Sequence, residues 1–433
     1  MAARLSADAR RIIAAQGLRA AGYGCTAVLL GSLLAARDHS TVTVGVLLAC
    51  VVAGTALGSL VFGAVADQVG RRRCYALVFL GMAVAGGVLA AGAPVWLIAV
   101  LALLGVLSTD VVDNGPATTL EQVMLSAEHV EVTGRAGARV YGLYNAVASL
   151  AGAAGALAAG LPDRLGAPAQ ASWPFAVLVP LGLAGAWLGF RLTPSVETSF
   201  TTDPATVTAP HPATEAPTEA PAGMPRVAQA VTRTSTRRIR DRLLPRLGPS
   251  RAQVRRLAAL FAVDAGGGGL VTASFLAYYL TVRYDATPQA LGLLFFTTQL
   301  LQAVSVWVAP RLADRIGLVP TMVATHLPSN VLLAAVAFAP SFPVAVGLLL
   351  ARTCLSQMDV PTRQALVMAV VEPEERSAAA AVTNAARYTV RPFGPLLGGL
   401  LQTVTLGLPL LVAGAVKGCY DLALWRWSRQ APR

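Results

Sequence analysis

Ionisable and amide side chains recur inside stretches that are otherwise apolar, and their spacing suits binding a charged solute and moving protons. The run ARTCLSQMDVPTRQ brings Arg352, Gln357, Asp359, Arg363 and Gln364 into one segment. Asp359 and Arg363 fall one helical turn apart and share a face, so they are expected to form an ion pair at a gate or at the site itself. A second run adds Asn384, Arg387, Tyr388 and Arg391. Arg387 and Arg391, again a turn apart, repel each other unless Asp264, another helix or a bound solute supplies an anion. Arg352, Gln357, Arg387, Tyr388 and Arg391 are therefore the candidate solute-binding residues.

Acids dominate elsewhere. Asp110 and Asp113 precede a Gly115–Pro116 break, and Glu121 follows it. A desolvated carboxylate beside another keeps its proton more readily, which makes Asp110, Asp113 and Asp264 candidates for proton coupling. The competing expectation is a cap paired to Arg135 or Arg139. Lys417 and Asp421, four residues apart, are expected to neutralise each other structurally. Asp264 precedes four glycines, Gly266 to Gly269, where the helix either unwinds or packs closely against a neighbour. His326 and Asn330, one turn apart, form either a proton relay or a satisfied core histidine. No H-E-x-x-H, G-x-S-x-G, Walker element or metal-ligand spacing occurs. The five cysteines are scattered without C-x-x-C spacing. The chain is expected not to be an enzyme, to need no cofactor or metal, and to draw on no ATP.

A charge at the centre of a membrane helix costs roughly 2.5–3.5 kcal/mol on insertion scales, so the elements holding these side chains must repay it. Of 433 residues, 55% are hydrophobic and only 13% charged. The mean hydropathy is +0.60. That is too many apolar runs of about 20 residues for one soluble core. The expected fold is an all-α membrane protein of twelve transmembrane helices between Gln16 and Trp427. Helix 4 is read as Val95 to about Gly115, helix 7 as Leu257 to Tyr279, helix 10 as Val344 to about Val371 and helix 11 as Ala378 to Gln402. Arginines at 71–73, 135, 233–256, 311, 315, 376, 426, 429 and 433 fall on one side of such a count. Only Arg37, Arg164 and Arg283 face the other, so both termini are expected in the cytoplasm. The net charge of +12 is then topology, with a pull toward anionic lipid, and no nucleic acid is implied. Without an evident cleavage site, the first helix is expected to remain as an anchor. Residues 1–192 and 251–433 read as two bundles of six. Residues 193–250 read as a linker, first Thr/Pro/Ala-rich and disordered, then an arginine-rich amphipathic or solvated tether.

One loop carries a family resemblance. In GAVADQVGRRR, Gly63, Asp67, Gly70, Arg71 and Arg72 resemble the G-x-x-x-D-x-x-G-R-R loop between helices 2 and 3 of the major facilitator superfamily. RLADRIGL echoes it between helices 8 and 9, with Asp314 opposite Asp67 and Gly317 opposite Gly70, although Pro310 replaces the glycine and Leu318 and Val319 the arginines. Asn145 and Gly155 likewise match Asn384 and Gly394, and DNGP at Asp113 matches DVP at Asp359. These matches imply two pseudo-symmetric six-helix bundles related by duplication. The resemblance implies alternating access around a site at their interface. A drug-antiporter element is present in part on helix 11 as Gly394, Pro395, Gly398 and Gly399.

The expected function is secondary transport of a small organic solute, anionic or zwitterionic, coupled to protons and leaning toward export. The alternatives are an uptake symporter or facilitator for an organic acid or sugar, and a non-transporting membrane receptor or scaffold. The protein is expected to be a monomer in a bacterial inner membrane, since the Ala/Arg-rich composition with Lys417 as its single lysine suggests a high-GC genome.

Overall fold

The computed structural model describes residues 5–111, 115–128, 135–166, 168, 171–197, 248–372 and 375–430. Asp113 and the linker over 198–247 lie outside the described residues, as do the side chains of Asp67, Arg135 and Arg139.

The described chain is helical. Among the described residues nine helical segments are long and apolar enough to cross a bilayer, one of them the stretch Arg251–Tyr284 that holds a break. Spans 1, 2 and 3 are Ala7–Ala36, Thr41–Val69 and Arg71–Ala90. Span 5 is Arg135–Ala158, and span 6 combines a 3-10 turn, Trp173–Val177, with Leu178–Phe190. Spans 8, 9 and 12 are Pro288–Ile316, Leu318–Val336 and Leu408–Gln430. Serine and threonine set several starts: Ser6, Ser40 and Thr287 each accept the backbone N–H three residues on.

The remaining spans are interrupted. The sequence reading had spans 10 and 11 continuous, ended helix 4 at a Gly115–Pro116 break, and left unwinding of helix 7 open. Span 4 stops at Leu103, runs non-helically through Asp110, and resumes as Pro116–Glu128. Pro116 is well placed to start a helix because the N–H it lacks would be unpaired there anyway. Span 10 is Phe342–Ser356 and then Asp359–Ala369. Pro361 can give no N–H back to the turn at Gln357, which breaks the ladder. Span 11 is Arg376–Val390 and Phe393–Gln402, and Pro392 interrupts it in the same way. Span 7 is Arg251–Gly269 and Ala273–Tyr284. The four glycines stay helical. The break follows them at Leu270–Thr272, and Thr272 recaps the chain by accepting from Phe275 N.

Spans 1–6 and 7–12 form two bundles. The end carrying Asp8 and the turns at Gly70 and Gly317 is termed proximal here. Those two glycines adopt φ of +101° and +93°, so the tight reversals between spans 2 and 3 and between spans 8 and 9 require glycine. The bundles touch at the opposite, distal end. Spans 1, 2 and 5 pack there on spans 7, 11 and 8, and Ser274 Oγ donates to Ala27 O at 3.0 Å. Spans 2 and 11 meet so closely that a Cβ on Gly45 would lie 2.7 Å from Gly399 Cα, the kind of approach small residues permit between membrane helices.

Candidate functional site

Closed distally and open proximally, the bundles enclose a cavity of about 1040 Å³. All four interrupted spans line it, joined by parts of spans 1, 2, 5 and 8 and by His326 and Lys417. A helix break leaves N–H and C=O groups without intrahelical partners. In hydrocarbon such groups are tolerated only where they face protein or a water-filled cavity, and these breaks face this one.

The C-terminal wall holds a buried ionic network. Asp264 on span 7 lies 2.5 Å from Lys417 Nζ, 3.6 Å from Arg363 Nη1 and 3.8 Å from His326 Nε2. Arg363 also donates to Asp359 Oδ2 at 2.9 Å, so the ion pair read from their spacing forms. Lys417 does not pair with Asp421 as expected. Its long stem crosses to span 7, while Asp421 takes His326 Nδ1 at 2.8 Å and Asn330 Nδ2 at 2.9 Å. Asp264, Asp359 and Asp421 against Arg363 and Lys417 give this network one excess negative charge with His326 neutral, and none with it protonated.

Among the described residues one ion pair crosses the cavity: Arg391 Nη2, at the break in span 11, lies 2.8 Å from Asp110 Oδ2, in the non-helical part of span 4. Arg391 thus receives its anion from the opposite bundle. Arg352 and Arg387 have no acid within pairing distance among the described residues, although Asp264, and for Arg387 also Asp359, attracts them from farther away. Both line the cavity and, among the described residues, neither makes a side-chain hydrogen bond or ion pair; the Nε of each is buried without a partner. Gln357, Asn384 and Tyr388 line the same wall, so the cavity gathers all five proposed solute-binding residues.

Several residues that matter, Arg19, Glu197 and Glu375, were not read from the sequence. Arg19 in span 1 pairs at 3.0 Å, fully buried, with Glu121 in span 4. Tyr75 and Tyr144 donate to Glu121 at 2.8 and 2.6 Å, and Thr118 Oγ1 accepts from Arg19 at 3.1 Å. Arg19 sits in an apolar run and carried the same signal as the other intramembrane charges. At the proximal rim Glu197 accepts from Arg71 N at 2.7 Å and Arg72 Nε at 3.2 Å, and Arg72 also donates to Leu192 O at 2.9 Å. A carboxylate there suits the positive N-terminus of span 3. Glu375 does the same for span 7, accepting from Gly248 N and, at 3.1 Å, from Ser250 N. The Ser250 hydroxyl and these amides hold its carboxyl below the usual range. Gly63 has open space around it, and Asp314 is exposed at the end of span 8.

Two duplicated bundles around a polar cavity, twelve spans in all, are the architecture of a membrane transporter. The chain belongs to the Major Facilitator Superfamily, whose sequence pattern it matches over residues 12–395 and again over 257–433. It is 24% identical over 423 residues to the "Uncharacterized membrane protein YJR124C" of Saccharomyces cerevisiae, covering 97% of this chain and 93% of that one. Among solved structures it is similar to the nucleoside transporter NupG, with 12% identity, a TM-score of 0.67, and coverage of 98% of this chain and 100% of that one. It is also similar to a D-xylose-proton symporter, with 15% identity, a TM-score of 0.65, and coverage of 96% and 97%. At such identities the likeness is one of fold.

Proposed function

We propose that this transporter moves a small anionic or zwitterionic organic solute by alternating access, that protons drive it, and that it exports. The observation carrying this reading is the 1040 Å³ cavity between the bundles, sealed at one end and lined by ionised side chains on interrupted helices. The arginine-rich proximal end is read as cytoplasmic, with both termini there, in a bacterial inner membrane. The cavity then opens inward, which is the loading state of an exporter. Coupling uses carboxylates already engaged by cations. A proton taken by Asp264 would release Lys417, and one taken by Asp110 would release Arg391; Asp113 is kept as a third candidate.

The test is reconstitution into liposomes loaded with a metabolite mixture, followed by mass spectrometry of the contents after a pH step. A solute should be depleted or accumulated according to the gradient. Its movement should vanish in the Asp264→Asn, Asp110→Asn, Asp113→Asn triple variant. Gradient dependence that survives this variant would exclude these carboxylates, and flux indifferent to the gradient would exclude proton coupling. Everted and right-side-out vesicles then separate export from uptake.

A further inference from the structure

We propose that the solute is a doubly negative organic molecule, a phosphomonoester or a dicarboxylate, and that Arg352 and Arg387 are the groups that bind it. This rests on the transport reading above and narrows its substrate. The basic side chains lining the cavity fall into two sets. Arg363 lies 2.9 Å from Asp359, Lys417 2.5 Å from Asp264 and Arg391 2.8 Å from Asp110. Arg352 and Arg387 have no counter-ion within pairing distance among the described residues, and a buried Nε on each is left without an acceptor. A half-buried guanidinium whose nearest acids act on it only from beyond pairing distance is costly to hold, so its presence at two positions of one wall calls for an anion that comes and goes.

Chemistry and space narrow the choice. A guanidinium presents paired N–H donors in a planar fork that matches carboxylate and phosphate oxygens. Gln357, Asn384, Thr353 and Ser356 beside them in the cavity offer neutral hydrogen bonds to the same headgroup. The cavity, at about 1040 Å³, is far larger than an inorganic anion needs and lies at the upper end of drug-sized sites. Phe261, Phe295 and Leu294 give it apolar surface. Two cationic forks with room for a carbon body describe an organic dianion.

The test is thermal denaturation of the purified full-length protein with succinate, glycerol phosphate, inorganic phosphate, benzoate and glycerol, all at one ionic strength. Succinate or glycerol phosphate should stabilise the parent at concentrations at least about tenfold below benzoate, and glycerol should do nothing specific. In Arg352→Gln and Arg387→Gln the half-saturating concentration should rise about 10- to 100-fold, the loss of one charge-assisted interaction. The ligand-free melting temperature of each variant should equal or exceed the parent's, because a half-buried charge with no acid in pairing distance has gone. Lower ligand-free stability in both variants, or a dianion effect that survives them, would make the arginines structural and overturn the proposal. Stabilisation by benzoate or glycerol alone would overturn the dianion while leaving transport intact. Dianion binding without liposome flux would instead count against the transport reading.

Discussion

Replacing Asp110 with Asn or Arg391 with Gln removes the ion pair that, among the described residues, joins the two bundles across the cavity. The side chains are 27% and 23% exposed, so the pair is neither dry nor fully screened. Charges roughly 4 Å apart attract by about 4 kcal/mol at an effective dielectric constant near 20. Desolvation and the ordering of a long arginine leave about 1–2 kcal/mol net. Because the pair is present in the state that opens proximally, losing it should raise the ratio of the alternative state by about 5- to 30-fold. Spin labels at Val69→Cys and Ile316→Cys, in a background free of the five native cysteines, report the proximal separation of the bundles. Both positions are surface-exposed at the ends of spans 2 and 8. Either single variant should shift the distance distribution toward shorter values, and the double variant should add little to either. Unchanged or longer distances would refute the idea that this pair holds the proximal end open.

Three other outcomes are expected. Glu121→Gln leaves one acceptor oxygen for the two tyrosine hydroxyls and strands Arg19 as a buried cation, and should cost about 3–5 kcal/mol in thermal or denaturant unfolding. Arg19→Met with Glu121→Leu should recover part of that loss, and a melting curve unchanged by Glu121→Gln would contradict it. Gly399→Val drives a side chain into the backbone at Gly45 and Thr41, where a Cβ already meets Thr41 O at 2.6 Å. It should pry the distal end apart, making a Ser274→Cys thiol reactive to impermeant maleimide. Glu375 contributes through a carboxyl whose folded-state ionisation lies below the usual range. Its stabilisation is therefore present above the ordinary glutamate range and is lost as pH falls through the folded value. Parent and Glu375→Gln should differ in stability at neutral pH and converge in acid, and a constant difference across pH would refute the cap.

Hydropathy made the spans legible because an apolar run long enough to cross a bilayer has few other uses. The duplication was legible because paired loops kept their glycines at matching positions. The break at Gly115–Pro116 was legible too; those at Pro361 and Pro392 were also written in the sequence, but apolar length masks a break when only the ends are sought. Cross-helix partners were not legible. Lys417 and Asp421 share a face by periodicity, yet helix rotation and a flexible lysine stem decide that Asp264 on span 7 wins. Glu197 reads as the start of a linker, and only the fold brings it back onto the first turn of span 3.

The two bundles are related in sequence but differ mechanically. Spans 4 and 10 correspond under the repeat, and both are broken. Spans 1 and 5 run unbroken over Ala7–Ala36 and Arg135–Ala158, whereas their counterparts, spans 7 and 11, are broken. Gly24 and Gly155 let spans 1 and 5 approach backbone to backbone, which makes that wall firm. The C-terminal wall has three breaks and holds the ionic network, Arg352 and Arg387. Each break substitutes side-chain and solvent partners for intrahelical hydrogen bonds, so a change of ligand or protonation there can be absorbed by bending one half-helix. The charges proposed to sense solute and proton thus lie on the segments whose backbones are easiest to turn, and the N-terminal bundle meets them chiefly through Asp110.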